Sequence, residues 1–153
     1  MTPHLEARRR RLDILVGVWD TTITPIGVDG SPGQPSQAID AYAWSANGLF
    51  LQHDVDATMD GQRVRSMEIL AVEPDTGRYI TRSYDADGSL NDFVAELDGH
   101  VWRLIGAQQR FSGAFSPDGQ QLSGQWEQRG DAGWAPLMRV ALRKRAGGQA
   151  PRP

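Results

Sequence analysis

Tight-turn signals recur along most of this chain, and they constrain its fold more than any other feature. They are Asn47-Gly48, Asp60-Gly61, Pro74-Asp75-Thr76-Gly77, Asp87-Gly88, Asp98-Gly99 and Pro117-Asp118-Gly119. An Asn or Asp followed by Gly readily adopts the positive φ angles that the shortest β-hairpins require. The segments between these turns are short, a pattern typical of β-strands. The chain is therefore predicted to be a succession of antiparallel hairpins.

One short helix is predicted ahead of the strands. Leu5, Leu12 and Leu15 fall near one face at helical spacing, which predicts a helix from Leu5 to Leu15. After it we expect about ten strands and no second helix. The predicted strands cover residues 15–25, 36–46, 49–58, 63–73, 78–86, 90–97, 100–106, 109–116, 121–129 and 133–144.

Nearly every predicted connection is a hairpin, so consecutive strands should be neighbours, whereas a Greek-key sandwich needs longer connections. A meander of this many strands closes on itself and so leaves no exposed edge. We therefore predict an all-β, lipocalin-like fold: a single antiparallel up-and-down β-barrel of about ten strands with a short N-terminal helix. The barrel domain should span residues 1–145, and residues 146–153 should form a disordered tail. The turn-rich stretch 26–35 should be a mobile loop over the open end.

Composition argues against several classes of function. The formal net charge of -3, with mixed signs, argues against a nucleic-acid partner. The chain has no cysteine, and its three histidines, His4, His53 and His100, do not suggest a zinc site, so no metal is expected. No apolar stretch is long enough for a membrane span, and the N-terminus lacks the apolar core of a secretory signal. A cytoplasmic protein without membrane contact is therefore expected.

Trp19 is predicted to plug one end of the barrel. It follows Gly17 where the helix gives way to the first strand, and its ring is large and rigid with one polar atom. The two ends of a closed meander must meet, so the final strand should run beside the first. We expect Arg143, on that final strand, to lie against the Trp19 ring as a cation.

Several segments in a fixed order carry a family resemblance. They are Gly17-Val18-Trp19 with Arg143, Gly48-Leu49-Phe50-Leu51, Glu73-Pro74-Asp75-Thr76-Gly77-Arg78-Tyr79, residues 109–119, and Gly124-Gln125-Trp126-Glu127 followed by Trp134. The first is similar to the Gly-x-Trp and terminal-Arg pair of the lipocalin-like (calycin) barrels, and the set resembles uncharacterised bacterial proteins related to the DUF1579 family. The resemblance implies a barrel with a cavity, without an established reaction. The haem-binding nitrobindin-like barrels have Gly-x-Trp-x-Gly, which this chain lacks, so no haem or other cofactor is expected.

His53 is the residue that most directly suggests a function. It alternates with Leu49, Leu51 and Val55, so all four side chains should point into the barrel. An imidazole titrates near neutral pH and can donate or accept a proton. The plainer interpretation is a buried histidine bonded to an internal hydroxyl or water.

Two interpretations of the next strand remain open. One face carries Glu68 among mostly apolar residues, and the other carries Arg65 and Met67. If the first face is inward, Glu68 is buried and needs a partner or a raised pKa; if the second is inward, Glu68 is a surface charge. An inward Arg82 on the following strand could pair with Glu68 or hold an anionic ligand group.

We predict that a small apolar or aromatic molecule binds in the barrel cavity. The candidate ligand-binding residues are Trp44, His53, Glu68, Arg82, Tyr84, Trp102, Phe111 and Trp126. An alternative is a cyclase- or isomerase-type enzyme in the same cavity, with His53, Glu68 or Tyr84 as the acid–base group. A third hypothesis is an interaction protein without a ligand, for example a homodimer formed through exposed aromatic residues.

Overall fold

The structure, a computed structural model, describes residues 3–147. Helix α1 (Pro3–Arg11) leads into a 3-10 helix (Leu12–Leu15), and ten strands follow. The strands are β1 (Gly17–Pro25), β2 (Ser36–Trp44), β3 (Phe50–Met59), β4 (Gln62–Val72), β5 (Tyr79–Tyr84), β6 (Leu90–Asp98), β7 (Val101–Ile105), β8 (Gln109–Phe115), β9 (Gln121–Gly130) and β10 (Gly133–Lys144). Six residues of the predicted C-terminal tail, 148–153, lie outside the described residues. No helix among the described residues is long and apolar enough to cross a membrane.

The ten strands form a closed antiparallel barrel in which each strand pairs with its neighbours in sequence and β1 pairs with β10. This confirms the predicted up-and-down barrel. The turn chemistry accounts for it locally: Gly48, Gly88, Gly99 and Gly119 have φ between 60° and 87°, the left-handed region that glycine enters at little cost. The stretch 26–35 contains the isolated bridge Ile26 to Pro32, and the Ile26 N–H donates to the Leu137 carbonyl of β10 at 3.0 Å. Its role as a lid stays a prediction.

The helical segment plugs one end of the barrel. Leu12, Leu15 and Trp19 are completely buried, and the Trp19 indole Nε1 donates a hydrogen bond of 2.8 Å to the Leu15 carbonyl. The Tyr79 hydroxyl donates to the Arg8 carbonyl at 2.7 Å and so joins β5 to α1. These contacts close the end of the barrel at which β1 begins and β10 ends.

The cation beside Trp19 is Lys144, and the prediction of Arg143 was wrong. Trp19 is directly opposite Lys144 in the pairing of β1 with β10, and the ammonium nitrogen lies 4.9 Å from the ring centroid. The same nitrogen donates to the Ile14 carbonyl at 3.0 Å. Adjacent residues of a strand point to opposite faces, so Arg143 projects outward and is exposed.

We expect Lys144→Ala to lower the free energy of unfolding by about 1–3 kcal/mol, because it removes both the cation over a buried ring and a charged hydrogen bond. Arg143→Ala is the matched control and should change that free energy by less than about 0.5 kcal/mol. Urea denaturation of both variants is the measurement. Equal losses at the two positions would contradict this assignment.

Two facing glycines make room for an aromatic ring inside the barrel. Gly113 of β8 pairs with Gly124 of β9, and the Phe111 ring lies against both. A Cβ atom on Gly124 would lie 2.5 Å from Phe111 Cζ and 2.5 Å from the Ser112 carbonyl oxygen, closer than packed atoms approach. The glycines therefore allow Phe111 to lie flat along the inner wall.

Gly124→Ala should accordingly destabilise the protein by about 1–3 kcal/mol through overpacking. Gly130→Ala on the same strand is the control, because the nearest atom to its Cβ would be the Gly133 carbonyl oxygen at 3.9 Å. The midpoints of urea denaturation compare the two. Similar midpoints would show that the Phe111 ring moves aside without cost.

Candidate functional site

The barrel encloses a cavity of about 300 Å³, beyond the core that packs against the helical plug. Its lining divides into two walls of different chemistry. The polar wall lies on β2 to β6 and the apolar wall mainly on β6 to β9. Strand alternation selects most of the lining residues, because on nearly every strand they share the inward parity; Met67 of β4 is the exception.

The polar wall is a continuous row of directly paired residues on five neighbouring strands. Tyr42 lies opposite His53, His53 opposite Glu68, Glu68 opposite Ser83, and Ser83 opposite Asn91. All five line the cavity. This register settles the open question about β4: the face that carries Glu68 is inward, and Glu68 is buried.

His53 lies at the centre of a buried charged cluster. Its Nε2 is 2.6 Å from Asp40 Oδ1, and its Nδ1 is 3.0 Å from Glu68 Oε1. The Tyr42 ring stacks on the imidazole, with centroids 3.9 Å apart and planes 12° apart. Thr21 Oγ1 donates to the other Asp40 oxygen at 2.5 Å. The imidazole is thus held on both edges and on one face.

The two carboxylates determine the charge of His53. Burial disfavours the imidazolium, but hydrogen bonds to Asp40 and Glu68, together with their negative charges, outweigh it and raise the pKa of His53 to about 9. At neutral pH the ring therefore carries two N–H groups, one for each carboxylate. Burial, with the charges of Glu68 and Asp40, also raises the pKa of Tyr42 well above its usual value, so its phenol stays protonated.

This arrangement favours hydrogen bonding to a guest over metal binding. Each ring nitrogen of His53 faces a different carboxylate, so the polar groups do not converge on one point as metal ligands do. Among residues 3–147 no group of three or more His, Asp or Glu is placed to hold a metal ion. The cluster instead presents oxygen atoms to the cavity.

The apolar wall is largely aromatic. It includes Phe93, Trp102, Leu104, Phe111 and Trp126. The Trp126 ring packs edge-on against Phe93 at 5.7 Å and tilted against Phe111 at 5.4 Å between centroids. Rings that support one another in this way form a firm surface on which a flat guest can stack.

The structure brings five of the predicted site residues to the cavity: His53, Glu68, Trp102, Phe111 and Trp126. Whether they bind a ligand stays a prediction. The other three lie elsewhere, and their predicted placement in the cavity is corrected by the geometry.

Arg82 and Tyr84 are on the outer face of β5, because the inward residues of that strand are Tyr79, Thr81 and Ser83. Arg82 forms an external ion pair with Asp92, with Nε and Oδ1 2.7 Å apart, so it does not meet Glu68.

Trp44 has the inward parity, but it lies at the plugged end of the barrel. Its indole Nε1 donates to Asp13 Oδ1 of the 3-10 helix at 2.7 Å, and the Arg10 guanidinium covers its ring at 4.8 Å from the centroid. It therefore packs against the helical segment instead of lining the cavity.

The residue most clearly missed from the sequence is Asp40. It shares the inward parity of Tyr42 and Trp44 on β2, so alternation along this strand is the signal that could have found it. Thr21 and Phe93 were also missed. On β6 the alternating apolar residues Phe93, Ala95 and Leu97 are a signal of the kind that singled out His53.

Comparison with known proteins gives a family and a fold. A family model described as "Protein of unknown function (DUF1579)" matches residues 4–102, so the chain belongs to the DUF1579 family. A comparison with curated proteins finds no match.

Two solved structures show the same overall fold. The crystal structure of Rv2717c from M. tuberculosis has a TM-score of 0.65 and 17% sequence identity, covering 95% of this chain and 99% of that one. The S-type phycobiliprotein lyase CPES from Guillardia theta has a TM-score of 0.56 and 7% identity, covering 93% of this chain and 97% of that one. At these identities the likeness concerns the fold alone.

Proposed function

We propose that this member of the DUF1579 family binds a small aromatic or apolar molecule inside its barrel. The observation that carries the proposal is a cavity of about 300 Å³ with an aromatic wall facing a row of polar groups. Ligand sites in proteins are typically mostly apolar and contain a few placed polar groups that fix orientation. The volume is at the lower end of the usual range, which favours a small guest.

The cavity polar groups are held in place before any guest arrives. Asp40 is fixed by Thr21 and His53, and the His53 ring is fixed by two carboxylates and the Tyr42 stack. Such pre-organisation lowers the entropic cost of binding. A barrel built only for stability would gain more from apolar side chains at these positions, because buried ion pairs are weak sources of stability.

The enzyme alternative, with His53 as the acid–base group, is less favoured by the geometry. A general base needs a nitrogen lone pair that faces the substrate and a pKa near the working pH. Both ring nitrogens of His53 face carboxylates, and its pKa is raised to about 9. Ligand binding is therefore compatible with the observed side-chain positions, whereas acid–base catalysis would require His53 to break a hydrogen bond to a carboxylate.

Ligand-observed NMR with a panel of small aromatic compounds tests this proposal. We expect saturable binding that Ser66→Trp abolishes, because Ser66 lines the cavity and an indole there would fill it. Ser112→Trp, on the exposed outer face of β8, is the matched control and should bind as the wild type does. Circular dichroism would confirm that both variants fold. Binding that survives Ser66→Trp would place the guest outside the barrel and overturn the proposal.

A further inference from the structure

The charged acceptors of the polar wall are carboxylates, beside neutral hydroxyl and amide groups that can donate or accept. Glu68 exposes only 9% of its surface, and its second oxygen, Oε2, forms no hydrogen bond to any residue within 3–147. Tyr42 exposes 7%, and its hydroxyl is likewise unbonded within the described part of the chain. Neither oxygen is among the fully buried atoms without a partner, and both residues line the cavity, so the Glu68 oxygen is open to a donor from a ligand or from water.

The negative charge of the cavity also favours a ligand that donates hydrogen bonds. The charged residues that line it are Asp40, His53, Glu68 and Asp85, and no lysine or arginine is among the described lining residues. With an imidazolium and three carboxylates the formal charge is -2. The one positive group, His53, already directs both of its N–H bonds at carboxylates, so it has no donor left for an anion.

The opposite wall would also favour a positive guest. Trp102, Phe111 and Trp126 present aromatic rings to the cavity, and the faces of such rings attract cations. A flat aromatic guest would stack on the same rings. An uncharged apolar guest would satisfy this wall but would leave the Glu68 oxygen without a donor.

We propose that the ligand of this cavity is a small aromatic organic cation, such as an arylalkylamine, whose ammonium N–H donates to Glu68 and whose ring stacks on the aromatic wall. This inference rests on the proposed binding function and narrows it to one chemical class. Glu68 sets specificity by accepting from the guest through the oxygen that His53 leaves unused. Carboxylate- or phosphate-bearing compounds are excluded by the same charge.

Three compounds of one shape but different charge test the proposal at pH 7 by isothermal titration calorimetry: tryptamine, neutral 3-ethylindole and anionic indole-3-acetate. We expect tryptamine to bind at least about tenfold more tightly than 3-ethylindole, since a charge-assisted hydrogen bond is worth about one power of ten or more. Indole-3-acetate should bind most weakly. This ranking needs only the wild-type protein, so it does not depend on how well a variant folds.

A variant pair then assigns the effect to one residue. Glu68→Gln should weaken tryptamine binding about tenfold and change 3-ethylindole binding by less than about threefold, because only the cation uses the carboxylate charge. Glu96→Gln is the matched control, since Glu96 is exposed on the outer face of β6, and it should change neither affinity.

The outcomes separate this inference from the function on which it rests. If all three compounds bind with similar affinity and Ser66→Trp blocks them, the cation preference is overturned and the binding function stands. Tighter binding of the neutral or anionic compound than of tryptamine would also overturn the cation preference and leave the binding function standing. If none of the three binds while other compounds of the aromatic panel do, the cation assignment is overturned and the binding function stands; if nothing in the panel binds either, both fail.

Discussion

Replacing His53 with alanine should lower the free energy of unfolding at pH 7 by about 3–5 kcal/mol, the range measured when a buried ion pair loses one partner. Removing the imidazole leaves Asp40 and Glu68 facing the same buried space without the cation that lies between them. It also removes the ring on which Tyr42 stacks. Urea denaturation measures the loss.

Two further variants show whether the unpaired buried carboxylates cause the loss of stability in His53→Ala. His100→Ala should change stability by less than about 0.5 kcal/mol, because His100 is exposed beside a turn. Adding Asp40→Asn and Glu68→Gln to His53→Ala removes the stranded charges and should recover part of the lost stability. If the triple variant is less stable than His53→Ala alone, the loss comes from packing and the charge explanation is wrong.

The fold could be predicted because its determinants are local. Each hairpin is specified by two to four residues, and a chain composed of hairpins has few ways to arrange its strands. The inward position of His53 follows from its apolar neighbours on β3. The N-terminal helix was predicted to Leu15, whereas α-helix gives way to a 3-10 helix at Leu12, a difference of one turn.

The site could be predicted only in part because it depends on register between strands. Asp40 meets His53 from β2 although it pairs directly with Val55, and no spacing in the sequence reveals that diagonal contact. The cation beside Trp19 is Lys144, one residue after the predicted Arg143. Adjacent residues of a strand point to opposite faces, so an error of one residue moves the prediction to the wrong face.

The parity of β5 was equally hard to assign from sequence. Its two faces carry Ile80, Arg82 and Tyr84 or Tyr79, Thr81 and Ser83, which are similarly mixed in polarity. Burial of Tyr79 against α1 decides which face is inward, and that contact joins residues 71 positions apart. Sequence alternation therefore defines the two possible faces of β5, and a contact between residues far apart in the chain determines which of them points into the barrel.

The stability of the protein should fall by about 3 kcal/mol between pH 6 and pH 10 because of His53 alone. Burial lowers the pKa of this imidazole, but hydrogen bonds and charges from Asp40 on β2 and Glu68 on β4 outweigh that effect and raise it from 6.5 to about 9. Below about pH 6.5 both the folded and unfolded chains hold the proton, and the stabilisation is fully present. Between pH 6.5 and 9 only the folded chain keeps it, so each pH unit costs about 1.4 kcal/mol.

The contribution of His53 can be isolated by comparing the wild type with His53→Gln across this range. Contributions from groups that are common to both proteins cancel in the difference. That difference should decline steadily from pH 6.5 and level off above pH 9, and the NMR signal of the His53 ring should titrate with a midpoint near 9. A constant difference, with a ring midpoint near 6.5, would mean that His53 is neutral in the folded protein at pH 7. The two carboxylates would then share one ring N–H, and the cavity would be more negative than the geometry of the cluster indicates.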